Sequence, residues 1–134
     1  MRFMLLVHSP VGGKGPSLEV VQAMNKFNEE LLESGALLAA DGLHSPAAMT
    51  PVRFAGGERP TVTDGPFTEA KELVGGYWII QAASKEEAVA WAERAPIPEG
   101  TIEVRQIAEA ADYPEEIAEA AKLSSTPPEQ TVAD

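Results

Sequence analysis

With 134 residues the chain is long enough for one domain with a real core and too short for two. Its 44% hydrophobic and 23% charged residues are the proportions of an ordinary soluble globular protein, and the absence of cysteine excludes disulfides, thiolate metal sites and cysteine nucleophiles. A formal net charge of −11, from 21 acidic and 10 basic residues, opposes nucleic-acid phosphates and anionic membranes, so neither is expected as a partner.

Arg2 to His8 is apolar on both alternating faces, the pattern of a strand covered on both sides, and Pro10 ends it. The apolar run Phe3 to Val7 is too short for a signal-peptide core or a membrane span, so a cytoplasmic location is expected. Gly12, Gly13, Lys14 and Gly15 follow. A Walker loop would need glycine where His8 stands and Ser or Thr where Gly15 stands, so this segment reads as a flexible connection.

Ser17 is placed to cap a helix running to about Ser34, with Leu18, Val21, Met24, Phe27 and Leu31 on one face and Gly35 as its stop. Ala36 to Ala40 is a second strand, and Asp41 to Pro46 is rich in turn residues. Val52 to Phe54 and Pro60 to Val62, separated by Gly56-Gly57-Glu58, read as an inserted hairpin. Next comes Asp64-Gly65-Pro66-Phe67. Here an Asx turn, a glycine free to take positive φ and a φ-fixing proline would make a rigid corner that Phe67 pins to the core.

Gly75 to Ala82 is a strand with Trp78 and Ile80 on one face and Tyr77 and Ile79 on the other. Ser84-Lys85-Glu86-Glu87 is a capping box for a helix whose inner face is Ala88, Trp91, Ala92 and Ala95 and which Pro96 terminates. Thr101 to Ile107 alternates, placing Ile102 and Val104 opposite Glu103 and Arg105. Asp112-Tyr113-Pro114-Glu115 opens a third helix to about Leu123. The expected organisation is thus a domain over 1–108, a C-terminal helix over 109–123 and a disordered or extended tail over 124–134.

This order of elements is an α+β, ferredoxin-like split βαβ fold with an inserted hairpin. Two helices cover one sheet face, yet two strands are apolar on both, so the second face needs a partner. A two-fold homodimer with its sheets facing each other supplies one.

Asp64-Gly65-Pro66-Phe67, followed by Glu69, Lys71, Glu72 and Gly75-Gly76-Tyr77, resembles the DGPF branch of the YCII-related family, and the likeness runs from about Arg2 to about Ile107. The resemblance implies a dimeric α+β barrel and a small-molecule enzyme without an obligatory cofactor, working by elimination or isomerisation at an aromatic or enol-like substrate. It implies as an alternative a non-catalytic sensor or regulatory dimer in sigma-factor stress signalling. Relatives are similar in offering a His–Asp pair with its histidine on the first helix; here the matching position lies near Met24, and that pair is absent.

The candidate residues follow. Asp64 is the candidate base, with His44 or Lys71 beside it, since general-base work asks for a carboxylate tuned by its neighbours. On the face a partner would cover, alternation places Arg2, His8, Glu103 and Arg105, and His8, Phe67, Tyr77 and Arg105 are the candidate binders of an unidentified small molecule. Glu69, Lys71 and Glu72 also read as a solvated charge cluster. The histidines have no metal-ligand spacing, so neither metal nor cofactor is expected.

Overall fold

Strand β1 (Arg2–Pro10) occupies the interior of the sheet, as its two apolar faces require. It pairs antiparallel with β5 (Glu72–Gln81) on one side and β6 (Thr101–Gln106) on the other, and β2 (Leu37–Gly42) lies outside β5. The order β2-β5-β1-β6 is that of a ferredoxin-like α+β fold. Within one chain this sheet is open and forms no closed barrel. The computed structural model describes residues 1–12, 15–45, 48–65 and 70–125. Phe67, Glu69, Gly13, Lys14 and the tail from residue 126 therefore lie outside the described residues.

Helices α1 (Leu18–Glu33) and α2 (Lys85–Glu93) cover one face of the sheet. Phe3, Leu5, Trp78 and Ile80 from the sheet meet Phe27 and Leu31 of α1 and Ala88 of α2 in the buried core. Fully burying a side chain such as Leu5 or Leu31 stabilises by roughly 1.5–3 kcal/mol. Phe27 stands edge-on to Trp78 at 5.4 Å and to Trp91 at 6.2 Å, and the Trp78 indole N–H donates to Asn28 Oδ1 at 2.7 Å. Outside this core, the Arg94 guanidinium stacks 4.6 Å over Trp91 and pairs with Glu30, linking the two helices.

The caps follow the sequence closely. Ser17 Oγ accepts from the Val20 N–H at 3.3 Å, and Gly35 takes φ +78° where α1 stops. At α2, Ser84 Oγ accepts from the Glu87 N–H at 3.2 Å, but the Glu87 carboxylate reaches back to the Ala83 N–H at 2.9 Å, one residue earlier than in an ideal capping box.

Several boundaries differ from expectation. β5 begins at Glu72 rather than Gly75, because its first residues extend the ladder opposite Ser9 and Pro10, and Val11 N–H donates to the Lys71 carbonyl at 3.0 Å. β2 is shifted towards Gly42. Leu18 and Val21 are exposed, so the apolar stripe of α1 starts at Met24; the first turns of α1 bring no side chain into the core. The insertion is the expected hairpin, β3 (Val52–Arg53) with β4 (Thr61–Val62). After β6, a 3-10 turn (Ala110–Asp112) leads into α3 (Glu115–Ser125), two residues longer than its pattern suggested.

Candidate functional site

Alternation along the strands builds the site on the sheet face that the helices leave open. Register aligns Ala39, Ile79, Met4 and Arg105 in one row across the four strands, and Asp41, Tyr77, Leu6 and Glu103 in the next. Each row is apolar at its centre and polar at one edge or both. Met4, Leu6, Tyr77 and Ile79 are half-buried by their strand neighbours alone.

His8 lies on the same face at the end of the second row. Because Leu6 pairs with Glu103 and His8 with Thr101, His8 and Glu103 are diagonal neighbours across an antiparallel pair, within reach of long side chains. His8 Nε2 stands 3.1 Å from Glu103 Oε1, and the Arg105 Nε is 3.6 Å from Glu103 Oε2, so one carboxylate serves both cations or donors. In the neutral tautomer that donates Nε2–H to the Glu103 carboxylate, Nδ1 carries the lone pair, the arrangement that makes an imidazole a proton acceptor. His8 is 28% exposed at its side chain, open enough for a ligand to reach.

Two backbone features hold His8 in place. A β-bulge falls opposite it, with Gly75 between the pairs Val7–Gly76 and His8–Val74, and bulges commonly re-aim a side chain. Gly100, at φ +127°, lies so close that a Cβ there would sit 2.3 Å from the His8 carbonyl oxygen. Only glycine allows that approach.

On the far edge of the sheet the Tyr77 hydroxyl donates to Asp41 Oδ2 at 2.9 Å. That hydrogen bond, reinforced by the carboxylate charge, raises the Tyr77 phenol above its ordinary pKa. At the other end of β1, Arg2 Nε and Nη2 donate to the Glu109 carboxylate at 2.7 and 3.2 Å. The pairing holds Glu109 below the usual carboxylate range and raises Arg2.

The structure thus gathers His8, Glu103 and Arg105 at one edge of the open face and sets Tyr77 at the other. It does not gather Asp64, His44 and Lys71. All three are exposed, and no hydrogen bond or ion pair among the described residues links their side chains. The Asx turn expected of Asp64 has no donor, because the residue two positions on is Pro66, which lacks an N–H. Gly65 does take φ +84°, and its N–H donates to the Met49 carbonyl at 3.0 Å, so backbone pairing supports this corner. Asp41 escaped sequence reasoning as a partner for Tyr77, since its Asp-Gly pair reads as a turn; the signal is its period-two spacing from Ala39.

Two concavities open elsewhere, one of about 330 Å³ between Gly35, Ala82 and Trp91 and one of about 270 Å³ between Val20 and Pro96. Each is lined by a single carboxylate, Glu87 and Glu19 respectively, without a second titratable side chain. Among the described residues no three His, Asp or Glu side chains gather as a metal would need, and no helix is long and apolar enough to cross a membrane.

No curated protein matches the chain. A family model does: that of the YCII-related domain, over residues 1–111. The match takes in β1 to β6, the two helices packed on the sheet and the Arg2–Glu109 contact, and the chain therefore belongs to the YCII-related domain family.

Proposed function

We propose that the open sheet face is a small-molecule site, closed by a second copy of the chain, in which His8 is the acid–base group. Glu103 orients its imidazole, and Arg105 is placed to receive negative charge that develops on a bound molecule. Met4, Leu6 and Ile79 supply an apolar floor, and Tyr77 offers a hydroxyl at the far side. Such a constellation suits proton abstraction leading to elimination or isomerisation, with His8 returning the proton. The observation that carries this reading is the His8–Glu103 pair at 3.1 Å on an apolar sheet face that no helix covers.

Burial supports the homodimer. A face with this apolar centre loses the benefit of its side chains until something excludes water from it. Asp64-Gly65-Pro66-Phe67 supports placement in the DGPF branch, and the lack of cysteine goes with a cytoplasmic location. Asp64, His44 and Lys71 are the lesser candidates, because each is exposed and none is oriented by another charged group.

Native mass spectrometry of the protein purified directly from cells tests the proposal. A dimer that retains a small molecule is expected, with retention or conversion lost in His8→Gln and kept in Asp64→Asn. Equal retention and conversion in His8→Gln would remove His8 from the site. A ligand held but never converted, by wild type and variant alike, assigns the sensor role instead.

A further inference from the structure

We propose that the Asp41–Tyr77 pair at the β2 edge of the open face reads an ammonium group, so that the substrate is an amine whose amino group lies remote from the reacting carbon; this rests on the small-molecule site proposed above. The two carboxylates that end the second row are provided for differently. Glu103, on β6, has both His8 and Arg105 against it. Asp41, on β2, receives the Tyr77 hydroxyl, a neutral donor, and among the described residues no cation pairs with it.

What this pair leaves open is of one kind. An ionised aspartate only accepts hydrogen bonds, and a phenol that has given its single proton has only lone pairs left. Tyr77 gives that proton to Asp41 Oδ2 at 2.9 Å, so Asp41 Oδ1 and the phenol oxygen both remain as acceptors. The edge therefore fits a donor, and the charge of Asp41 fits a positive one. Closure of the face strengthens the demand, because a carboxylate taken out of water must be paired and hydrogen-bonded. An ammonium group brings three N–H donors and the opposite charge.

The backbone holds this edge in place. Gly76, buried beside Tyr77, lets β2 come so near that a Cβ on it would stand 3.0 Å from the Asp41 carbonyl oxygen and 3.4 Å from Gly42 Cα. Pairing continues past Asp41, where the Leu43 N–H donates to the Gly75 carbonyl at 2.9 Å, so Asp41 sits inside a paired stretch. Register also sets the length of the substrate. Asp41 stands two strand spacings from Leu6, and His8 two residues further along β1, which puts the Asp41 and His8 backbones about 12 Å apart and the ammonium roughly 10 Å from the carbon that His8 serves. Leu6 and Val74, the latter the cross-strand partner of His8, lie within that span and match an apolar middle.

NMR titration of the 15N-labelled full chain at neutral pH tests this with three matched probes: 4-phenylbutylamine, 4-phenylbutanol and 4-phenylbutyrate. They share an apolar body and differ in the end group. The amine is expected to shift the amides of Asp41, Tyr77 and Leu6 with a Kd at least tenfold below that of the alcohol, and the butyrate to bind this edge no more tightly than the alcohol. Asp41→Asn is expected to remove the preference and Asp41→Glu to keep most of it, with unchanged circular dichroism since Asp41 is exposed. Glu29→Gln, which removes the same charge from the exposed side of α1, is expected to leave the preference as it is. An amine preference that survives Asp41→Asn, or falls equally in Glu29→Gln, is attraction to the acidic surface at large and overturns the proposal. Three probes that shift the open face with equal Kd overturn the ammonium reading while leaving the small-molecule site standing. Probes that never shift the open face overturn both.

Discussion

The two faces of the sheet are made from the same strands, yet they are finished differently. On the helix side Phe3, Leu5, Trp78 and Ile80 are buried under Phe27, Leu31 and Ala88, and the indole N–H of buried Trp78 finds Asn28. On the other side the neighbouring positions, Met4, Leu6, Tyr77 and Ile79, stay half-buried, and polar pairs stand at the edges. The first face is completed within the chain and carries stability. The second is incomplete, and incompleteness of this kind is where a protein places binding and chemistry.

Core truncation should give the largest contrast. Leu5→Ala is expected to cost about 3 kcal/mol or more, the usual outcome for a fully buried leucine, and Leu6→Ala about 1 kcal/mol in the monomer. Urea denaturation at concentrations low enough to dissociate any dimer reads both, and equal costs would mean that the faces are not distinct.

Gly100→Ala comes next. A Cβ 2.3 Å from the His8 carbonyl cannot be accommodated without moving backbone, so a loss of about 2 kcal/mol or more is expected, with a displaced His8 ring signal in NMR. Gly75→Ala, whose Cβ would meet the Ser9 side chain at 3.5 Å and no backbone, should stay within about 1 kcal/mol. His8→Gln is expected to change stability by no more than about 0.5 kcal/mol while abolishing ligand retention, which separates a working group from a structural one.

The smallest effects are titrations at the polar edges. Tyr77 is raised in the folded state, so its contribution to stability is complete below the ordinary tyrosine pKa and is lost as pH rises through the folded value. Absorbance titration should show Tyr77 ionising late, and Asp41→Asn should bring it back. Glu109 is lowered, so its contribution is complete above the ordinary glutamate pKa and disappears as pH falls through the folded value. Amide protection factors in the 3-10 turn, taken against the intrinsic rate at each pH, should fall over that acidic window in wild type, and Arg2→Gln should remove the dependence.

Most of the helix-covered face is legible in the sequence because its signals are local. Ser17, Gly35 and the Ser84 cap, the alternation around Trp78 and Ile80, and the hairpin arms each follow from a few neighbouring residues. The open face is only partly legible. Alternation names His8, Glu103 and Arg105, but that His8 lies diagonal to Glu103 depends on the register between β1 and β6, which are separated by most of the chain. Asp64 draws attention through a turn motif whose geometry is real at Gly65, yet its carboxylate ends exposed, and the missing N–H of Pro66 was already visible in the sequence.

The sequence by itself determined the order of elements, the helix caps, the ferredoxin-like fold and the family, since periodicity, capping and a long motif act over short range. Only the tertiary structure decided which charged groups meet: His8 with Glu103, Tyr77 with Asp41, Arg2 with Glu109. The physical reason is strand register. A shift of a single residue would turn the strand side chains His8, Glu103, Tyr77 and Asp41 to the other face, and register is set by how the whole core packs.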